Sequence, residues 1–248
     1  MTDERGTAKI DIGMVVQRGF SVIGRNAVGF LIVSLLLAGL PVFLIQFLVA
    51  AQADAANVAG LFVYPVLWLV SVVFGCLLQA TLVRSSILTL DGQEPDVAGS
   101  LIGALGLVLP LIGLAILTYV GILLGLMLLI VPGIMLYIAW IVAVPVLIQE
   151  EIGVIASLKR SAELTRGSRW RIFGLICIYV VAYAILAGVG TVAGVAAIQG
   201  SPLAFAGTQA LVSSLAALLA SAMIASLYIE LRTGREGATS QGLAAIFA

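Results

Sequence analysis

Few residues of this 248-residue chain have side chains suited to acid–base or metal chemistry. The sequence contains no histidine, the commonest catalytic base and metal ligand, so neither a Ser–His nor a Cys–His nucleophile pair can form. An enzyme acting on lipid would need several carboxylates to converge on one pocket. We therefore predict that the protein is not an enzyme and holds no metal or cofactor. The carboxylates that flank the long apolar stretches are Asp91, Glu94, Asp96, Glu150 and Glu151.

The remaining reactive or polar groups mostly lie within the apolar stretches. Cys76 and Cys177 are each central to such a stretch, which predicts free core thiols rather than a disulfide. Segment 234–240 lacks the spacing and the lysine of a phosphate-binding loop. Ion-coupled transporters usually carry an ionisable residue inside a span, and no predicted span here contains one. We expect the polar span residues to form interhelical hydrogen bonds, with a passive pore as the alternative; they include Ser34, Gln46, Ser71, Gln79, Thr118 and Thr191.

The composition is that of an integral membrane protein. Hydrophobic residues make up 62% of the chain, charged residues 10%, and the mean hydropathy is +1.23. A soluble domain has about 45–50% apolar and about 25% charged residues, so this composition excludes a water-soluble enzyme and a disordered chain. Twelve basic residues balance twelve acidic ones. Without a global basic field, we expect no binding of nucleic acid.

The distribution of charge predicts six membrane-spanning helices in one domain covering residues 1–248. Three stretches are almost bare of charge: 26–83, interrupted only by Asp54, then 97–149 and 172–229. A helix needs about 20 apolar residues to cross the hydrocarbon layer, so each stretch holds two spans. Continuous apolar runs favour helices over barrel strands. The predicted all-α bundle has terminal tails at 1–26 and 231–248 and spans at about 27–48, 61–83, 106–128, 134–149, 173–197 and 208–230.

The break between the third and fourth spans is predicted at Pro132-Gly133. Proline removes a backbone donor and glycine relaxes the restriction on φ, so this dipeptide favours the end of one helix and a tight turn. The fourth span would then have 16 residues, about 24 Å at 1.5 Å per residue. Either it is a short span in a hairpin, which we favour, or Pro132 kinks a re-entrant helix.

The basic residues predict the topology. All twelve Lys and Arg residues fall on one side of a six-span chain. The positive-inside rule makes that side cytoplasmic, with both termini inside a bacterial inner membrane. The first apolar run begins near residue 27 and is too long for a signal peptide.

Short amphipathic segments precede the span pairs. One face of the first segment carries Ile12, Val15, Val16, Gly19, Phe20 and Ile23. In the third, Ile152, Ile155, Ala156 and Ala162 oppose Lys159, Glu163 and Arg166; the segment after Asp96 has a weaker pattern. This arrangement indicates short cytoplasmic interfacial helices and three helix-hairpin repeats of about 70 residues. The alternative is that any cytoplasmic loop of a membrane protein looks amphipathic.

Small residues at helical spacing predict close helix contacts, because lipid gives no hydrophobic drive for helices to associate. These residues also suit a homo-oligomer or a membrane-protein partner, because a helix face made of small residues can pack closely against a helix of the same bundle or of another subunit. The pairs are Gly121 with Gly125 and Gly190 with Gly194, and the sixth span carries Ser213, Ala217, Ser221 and Ala225.

The densest pattern runs from residue 132 to residue 173. It contains five basic residues, and each attracts anionic lipid by about 1 kcal/mol near a membrane surface; ordinary positive-inside anchoring is the alternative. Trp170 is placed to anchor the fifth span at headgroup level. The basic residues are Lys159, Arg160, Arg166, Arg169 and Arg171, and the turn and motif residues are Pro132, Gly133, Trp140, Pro145, Glu151, Gly153, Ser161, Thr165, Gly167 and Trp170.

These motif residues resemble the membrane domain of the glycerophosphoryl diester phosphodiesterase family. That domain shares a Pro-Gly turn, a Trp and a Pro in the next span, then Glu, Gly and a Ser…Leu-Thr-x-Gly stretch before an aromatic. Some family members join this domain to a catalytic barrel that uses histidines. This chain has no histidine and about 18 residues after its sixth predicted span, so the resemblance implies the membrane part alone and no phosphodiesterase activity.

Two functional hypotheses follow from the sequence. The first is a non-catalytic membrane protein whose basic interfacial helices engage anionic lipid headgroups or partner proteins. The second is a passive pore or uncoupled transporter for a small solute or lipid, based on the repeated hairpins and the uncharged polar residues of the spans.

Overall fold

The computed structural model describes residues 11–25, 27–51, 58–90, 97–198 and 201–246. These ranges include six helical segments that are long and apolar enough to cross a membrane. The protein is therefore an integral, multi-pass, all-α membrane protein, and the predicted helical bundle is confirmed. The spans are Ala27–Val49, Pro65–Ser85, Val108–Leu128, Ile130–Glu150, Arg169–Val195 and Leu203–Arg235.

Short helices and breaks accompany the spans. Where a span is built from two helices, they are separated by a π-helical turn or a kink. In chain order, the α-helices of the described ranges are α1 (Ile12–Arg25), α2 (Ala27–Ser34), α3 (Leu40–Ala51), α4 (Val58–Leu90), α5 (Val97–Leu105), α6 (Val108–Leu128), α7 (Ile130–Trp140), α8 (Ala143–Glu150), α9 (Val154–Thr165), α10 (Arg169–Ile198) and α11 (Pro202–Ile246).

The first span contains a π-helical turn, Leu35–Gly39, between α2 and α3. Pro41 lies two residues after this turn, and a proline inside a helix clashes with the carbonyl four residues earlier, here that of Leu37 within the turn. Widening the helix before Pro41 is one way to accommodate its ring. The turn also brings Gly39 against α11, where an added Cβ would overlap the Ser214 hydroxyl.

The hairpin of the third and fourth spans turns at Leu129. Leu129 has an extended backbone (φ −166°, ψ 149°) between α6 and α7. Pro132 and Gly133, where the sequence predicted the break, lie instead in the first turn of α7. Proline fits there because the first N–H groups of a helix have no intrahelical partner. The fourth span thus runs from Ile130 to Glu150 with 21 residues, rather than beginning at residue 134.

The α6–α7 pair is a closely packed antiparallel hairpin. An added Cβ at Gly121 would overlap the ring of Trp140, and one at Gly125 would lie 3.0 Å from the Gly133 Cα. Gly121 on α6 faces Trp140 on α7, and Gly125, further along α6, faces Gly133, near the start of α7. The two helices are therefore antiparallel, as in the hairpin that the sequence favoured. Glycine suits both positions, because the Trp140 ring occupies the space beside Gly121 and the two backbones approach each other at Gly125.

Helix α11 is central in the bundle and α10 is peripheral. In the most apolar 18-residue stretch of each span, 56% of the residues are buried in the α11 span and 11% in the α10 span. Helix α11 packs against α1, α3, α4 and α10. It also continues to Ile246 as one helix, where the sequence suggested that the sixth span ends near residue 230 and a tail follows.

A short helix precedes each pair of spans in the described chain: α1, α5 and α9. The element order therefore repeats as the amphipathic pattern predicted. On α1, Val15, Gly19 and Val22 are buried against the bundle, whereas Phe20 is 60% exposed. The apolar residues of this helix are thus divided between a buried and an exposed side. The predicted loop at 51–57 (save Ala51, which ends α3), the turn at 91–96 and the first ten residues of the N-terminal tail lie outside the described residues.

Candidate functional site

Several residues of the 132–173 pattern meet around one backbone carbonyl. Helix α7 ends at Trp140, so the carbonyl of Ala139 is among the last four, which have no partner within the helix. The Ser161 hydroxyl donates to it at 2.8 Å from α9. The Thr165 hydroxyl lies 3.4 Å from the same oxygen and 3.0 Å from the Ser161 carbonyl oxygen. We call these three residues the kink clasp, because they join α9 to the break between α7 and α8.

Pro145 explains why the fourth span breaks at this place. It lies in the first turn of α8 and has no N–H to donate to the carbonyl four residues earlier. Val142 adopts a non-helical conformation there (φ −102°, ψ 16°). Both hydroxyl-bearing residues of the kink clasp are fully buried. The sequence marked Trp140, Pro145, Ser161 and Thr165 as a motif, and the structure places Pro145 and both hydroxyls around the break.

Two residues with positive φ make the turn from α8 to α9. Glu151 (φ 49°) directly follows α8, and Gly153 (φ 81°, ψ 167°) precedes α9. The Gly153 conformation is accessible to glycine almost alone. Its carbonyl accepts hydrogen bonds from the Ser157 N–H at 2.9 Å and the Ser157 hydroxyl at 2.7 Å. Gly167 (φ 91°) plays the matching part between α9 and α10. The glycines of the Glu-x-Gly and Thr-x-Gly patterns are thus explained by the positive φ angles that the two turns require.

Glu150, at the end of α8, holds a polar network together. Its carboxylate pairs with Arg160 of α9 at 3.1 Å and accepts a hydrogen bond from the Tyr228 hydroxyl of α11 at 3.3 Å. Arg232 donates to the same hydroxyl at 3.4 Å. No local sequence pattern predicts this meeting of α8, α9 and α11, because the partners are up to 82 residues apart in the chain. Besides contributing positive charge to this end of the bundle, Arg160 therefore joins α9 to α8.

The C-terminal part of α11 also binds the other helices at this end. Glu230 forms an ion pair with Arg18 of α1 at 2.7 Å. Arg235 donates to the backbone carbonyl of Arg166, at the end of α9. We call this end of the bundle, where the basic residues of the described chain lie, the basic end. Its residues include Arg18, Arg84, Lys159, Arg160, Arg166, Arg169, Arg171, Arg232 and Arg235.

Apolar and charged residues of α9 are not on opposite faces in the way that the sequence predicted. The buried residues of this helix are Ser157, Leu158, Ser161, Leu164 and Thr165. Ile155, expected to oppose the charges, is 64% exposed and shares the outer face with Lys159 and Arg166. Ile152 is also exposed. The outer face of α9 therefore combines large apolar side chains with cations.

Trp170 continues this outer surface at the start of α10. Its side chain is 86% exposed and packs edge-to-face on Phe173, with ring centroids 6.1 Å apart. The neighbouring Arg169 is different, because its Nε atom is buried and has no hydrogen-bond partner among the described residues.

The predicted packing residues lie at helix contacts to different degrees. An added Cβ would overlap Val212 at Gly190, and would lie 2.6 Å from the Thr208 hydroxyl at Gly194, so both glycines of α10 contact α11. On α11, Ser221 and Ala225 are buried, while Ser213 and Ala217 are half-buried. The close contact with the first span is made by Ser214, whose carbonyl accepts a hydrogen bond from Ser34. Ser214 is adjacent to Ser213, the first of the four small residues predicted to make contacts on this helix.

The described residues contain no group of three or more His, Cys, Asp or Glu side chains placed to hold a metal ion. Cys76 and Cys177 are free thiols on α4 and α10. Glu150 is engaged by Arg160 and Tyr228, whereas Glu151 is exposed. The acids at 91–96, which a carboxylate pocket would also require, lie outside the described residues.

Comparison with known proteins gives no relative: no family model, no curated protein and no solved structure matches this chain. The interpretation of the site therefore depends on its own geometry.

Proposed function

We propose that this integral membrane protein is non-catalytic and engages anionic lipid headgroups through its basic end. The observation that carries the proposal is the outer face of α9. There, Ile155 is exposed beside Lys159 and Arg166, and Trp170 follows on the same surface. A helix that exposes apolar and cationic side chains together is suited to the boundary between headgroups and acyl chains.

The expected attraction is electrostatic, with apolar anchoring. Each Lys or Arg near an anionic surface contributes about 1 kcal/mol. Tryptophan prefers the headgroup level, where its ring is apolar and its N–H meets water. Helix α1 supports the same surface from another side, because Phe20 and Met14 are exposed on it. We place the basic end at the cytoplasmic face of a bacterial inner membrane by the positive-inside rule.

The motif of residues 132–173 is part of the proposal. We interpret it as kin to the membrane domain of the glycerophosphoryl diester phosphodiesterase family. In support, its Ser161 and Thr165 hydroxyls both lie within 3.4 Å of the Ala139 carbonyl oxygen, so the shared residues have a common structural task. That task is to position α9, whose outer face would meet lipid.

Removing charge from the outer face of α9 tests the function. The double variant Lys159→Gln, Arg166→Gln removes two cations and spares Arg160, which pairs with Glu150. Electron paramagnetic resonance of spin-labelled lipids measures the preference of the protein for phosphatidylglycerol over phosphatidylcholine in reconstituted vesicles. We expect this preference to fall by up to about thirtyfold, since two contributions of about 1 kcal/mol are lost.

The charge-conserving variant Lys159→Arg, Arg166→Lys is the control, and it should keep the preference of the wild type. Because the interaction is screened by salt, the wild-type preference should also decline between 0.1 M and 1 M NaCl, to about the level of the Gln variant. A preference that is unchanged in the Gln variant and insensitive to salt would refute the proposal.

A further inference from the structure

A groove opens between α7, α10 and α11 below the basic end. It has a volume of about 120 Å³ and is open along one side. Ile141, Ile176 and Ile224 are among its walls, and Tyr137 and Tyr179 contribute aromatic rings. The Tyr179 hydroxyl donates to the Ala216 carbonyl at 3.2 Å, so its polar group is turned to the protein. The groove is therefore an apolar surface that needs an apolar occupant.

Arg169 lies on α10 six residues before Leu175, the first residue of that helix in the groove wall. On α10, Arg169 precedes Ile172, Ile176 and Tyr179 by three, seven and ten residues, which places all four on one face of the helix. The Nε atom of Arg169 is buried without a hydrogen-bond partner among the described residues. The distance along α10 from Arg169 to Tyr179 is about 15 Å, at 1.5 Å per residue. That is about half of the 30 Å hydrocarbon thickness, or the depth of one leaflet.

We propose that the groove binds one acyl chain of an anionic phospholipid whose phosphate lies at Arg169. This inference rests on the proposed function and narrows it to one lipid at one place. The apolar walls select a hydrocarbon chain, and the half-buried guanidinium of Arg169 selects a negative headgroup over a zwitterionic one. A volume of about 120 Å³ is a fraction of what a whole phospholipid fills. The groove thus encloses one section of a chain, and the rest of the lipid lies in the bilayer.

Two adjacent residues of α10 provide a matched test. Val180 lines the groove and is 53% exposed, whereas Val181 is 59% exposed and is not part of its lining. The variant Val180→Trp would fill the groove from its open side, and Val181→Trp would add the same ring elsewhere. Neither residue is buried in the core, so both variants should fold. Native mass spectrometry of the purified protein, titrated with phosphatidylglycerol in detergent, measures the binding of a single lipid.

We expect Val180→Trp to weaken the first bound phosphatidylglycerol by about tenfold, which corresponds to about 1.4 kcal/mol. Val181→Trp should bind it as the wild type does. Binding by Val180→Trp equal to that of the wild type would overturn the proposed groove site.

A second pair of variants tests the headgroup. Arg169→Gln should reduce the preference of the first bound lipid for phosphatidylglycerol over phosphatidylcholine by about fivefold, through loss of one lipid-facing cation. Arg169→Lys keeps a cation at the same place on α10 and should retain most of this preference. If the wild type retains the two lipids equally, the assignment of the phosphate to Arg169 is wrong.

The failures of the two proposals can be told apart. The surface proposal is measured by the surrounding lipid in vesicles with the Lys159→Gln, Arg166→Gln variant. The groove proposal is measured by one retained lipid in detergent with the Val180→Trp variant. If the groove site is absent, surface selectivity persists while Val180→Trp and the wild type bind alike. If only the surface proposal fails, the single lipid is retained and remains sensitive to Val180→Trp.

Discussion

At the scale of single residues, the fold depends on a few hydroxyl groups at places where helices break. The kink between α7 and α8 leaves the Ala139 carbonyl without a partner in its helix, and Ser161 supplies the missing hydrogen bond from α9. Because both residues are buried, water does not replace a lost donor, and an unpaired buried carbonyl is costly. The kink and the position of α9 are thus coupled through one acceptor.

The variant Ser161→Ala should destabilise the protein by about 1 kcal/mol, within the range of measured interhelical hydrogen bonds in membranes. Ser157→Ala is the control, because the Ser157 hydroxyl donates to the Gly153 carbonyl of its own helix, which also accepts a backbone N–H. Its cost should be smaller. The free energy of unfolding, measured by SDS titration from mixed micelles, tests this difference, and equal costs for the two variants would contradict the kink clasp.

At the scale of helices, glycine sets how closely neighbouring spans approach. Helix α10 is mostly exposed, so its position depends on a narrow strip of contact with α11. Gly190 and Gly194 form that strip, opposite Val212 and Thr208. Small residues permit this close packing, which gains dispersion energy that lipid tails do not replace fully.

Gly190→Ala should lower the thermal midpoint of unfolding, because an added methyl group overlaps Val212 and pushes α10 outward. Gly188→Ala, two residues earlier, meets nothing within 4 Å. It should leave the midpoint unchanged or raise it, since alanine favours a helix over glycine by up to about 1 kcal/mol. A differential thermal scan in one detergent compares them. A midpoint for Gly190→Ala at or above that of Gly188→Ala would show that the glycine contact does not position α10.

At the scale of the whole molecule, α11 connects helices from the beginning, middle and end of the chain. It is buried between neighbouring spans, and its C-terminal turns bind α1 through Glu230 and α8 through Tyr228. The paired charges and the remaining basic residues all belong to the same end of the bundle. That separation of charge is what the positive-inside rule acts on, and it predicts the orientation in the membrane.

Cysteine accessibility tests that orientation. Ser21 of α1 and Ser201, before α11, are both exposed and lie at opposite ends of the spans. In a background with Cys76→Ala and Cys177→Ala, a membrane-impermeant maleimide should label Ser201→Cys in intact cells. It should label Ser21→Cys only after the membrane is permeabilised. The reverse pattern would place the basic end outside, and labelling of both from the same side would contradict an odd number of spans between them.

The sequence by itself determined the class of the protein, the number of its spans and the concentration of charge at one end. Those properties follow from hydropathy and charge along the chain, which the bilayer selects directly. It did not place the hairpin break, because proline is compatible with the first turn of a helix. Hence Pro132 and Gly133 lie in α7, and Leu129 makes the turn.

Only the tertiary structure decided which helix faces are buried and which distant polar groups meet. In water, an apolar residue marks the inward face of a helix, but at a membrane lipid satisfies it equally well. Ile155 lies outward on α9 while Ser161 and Thr165 lie inward, so apolarity alone did not predict which face of this helix is buried. The pairing of Glu150 with Tyr228 and the groove between α7, α10 and α11 likewise arise from packing between helices far apart in the chain, which no local pattern records.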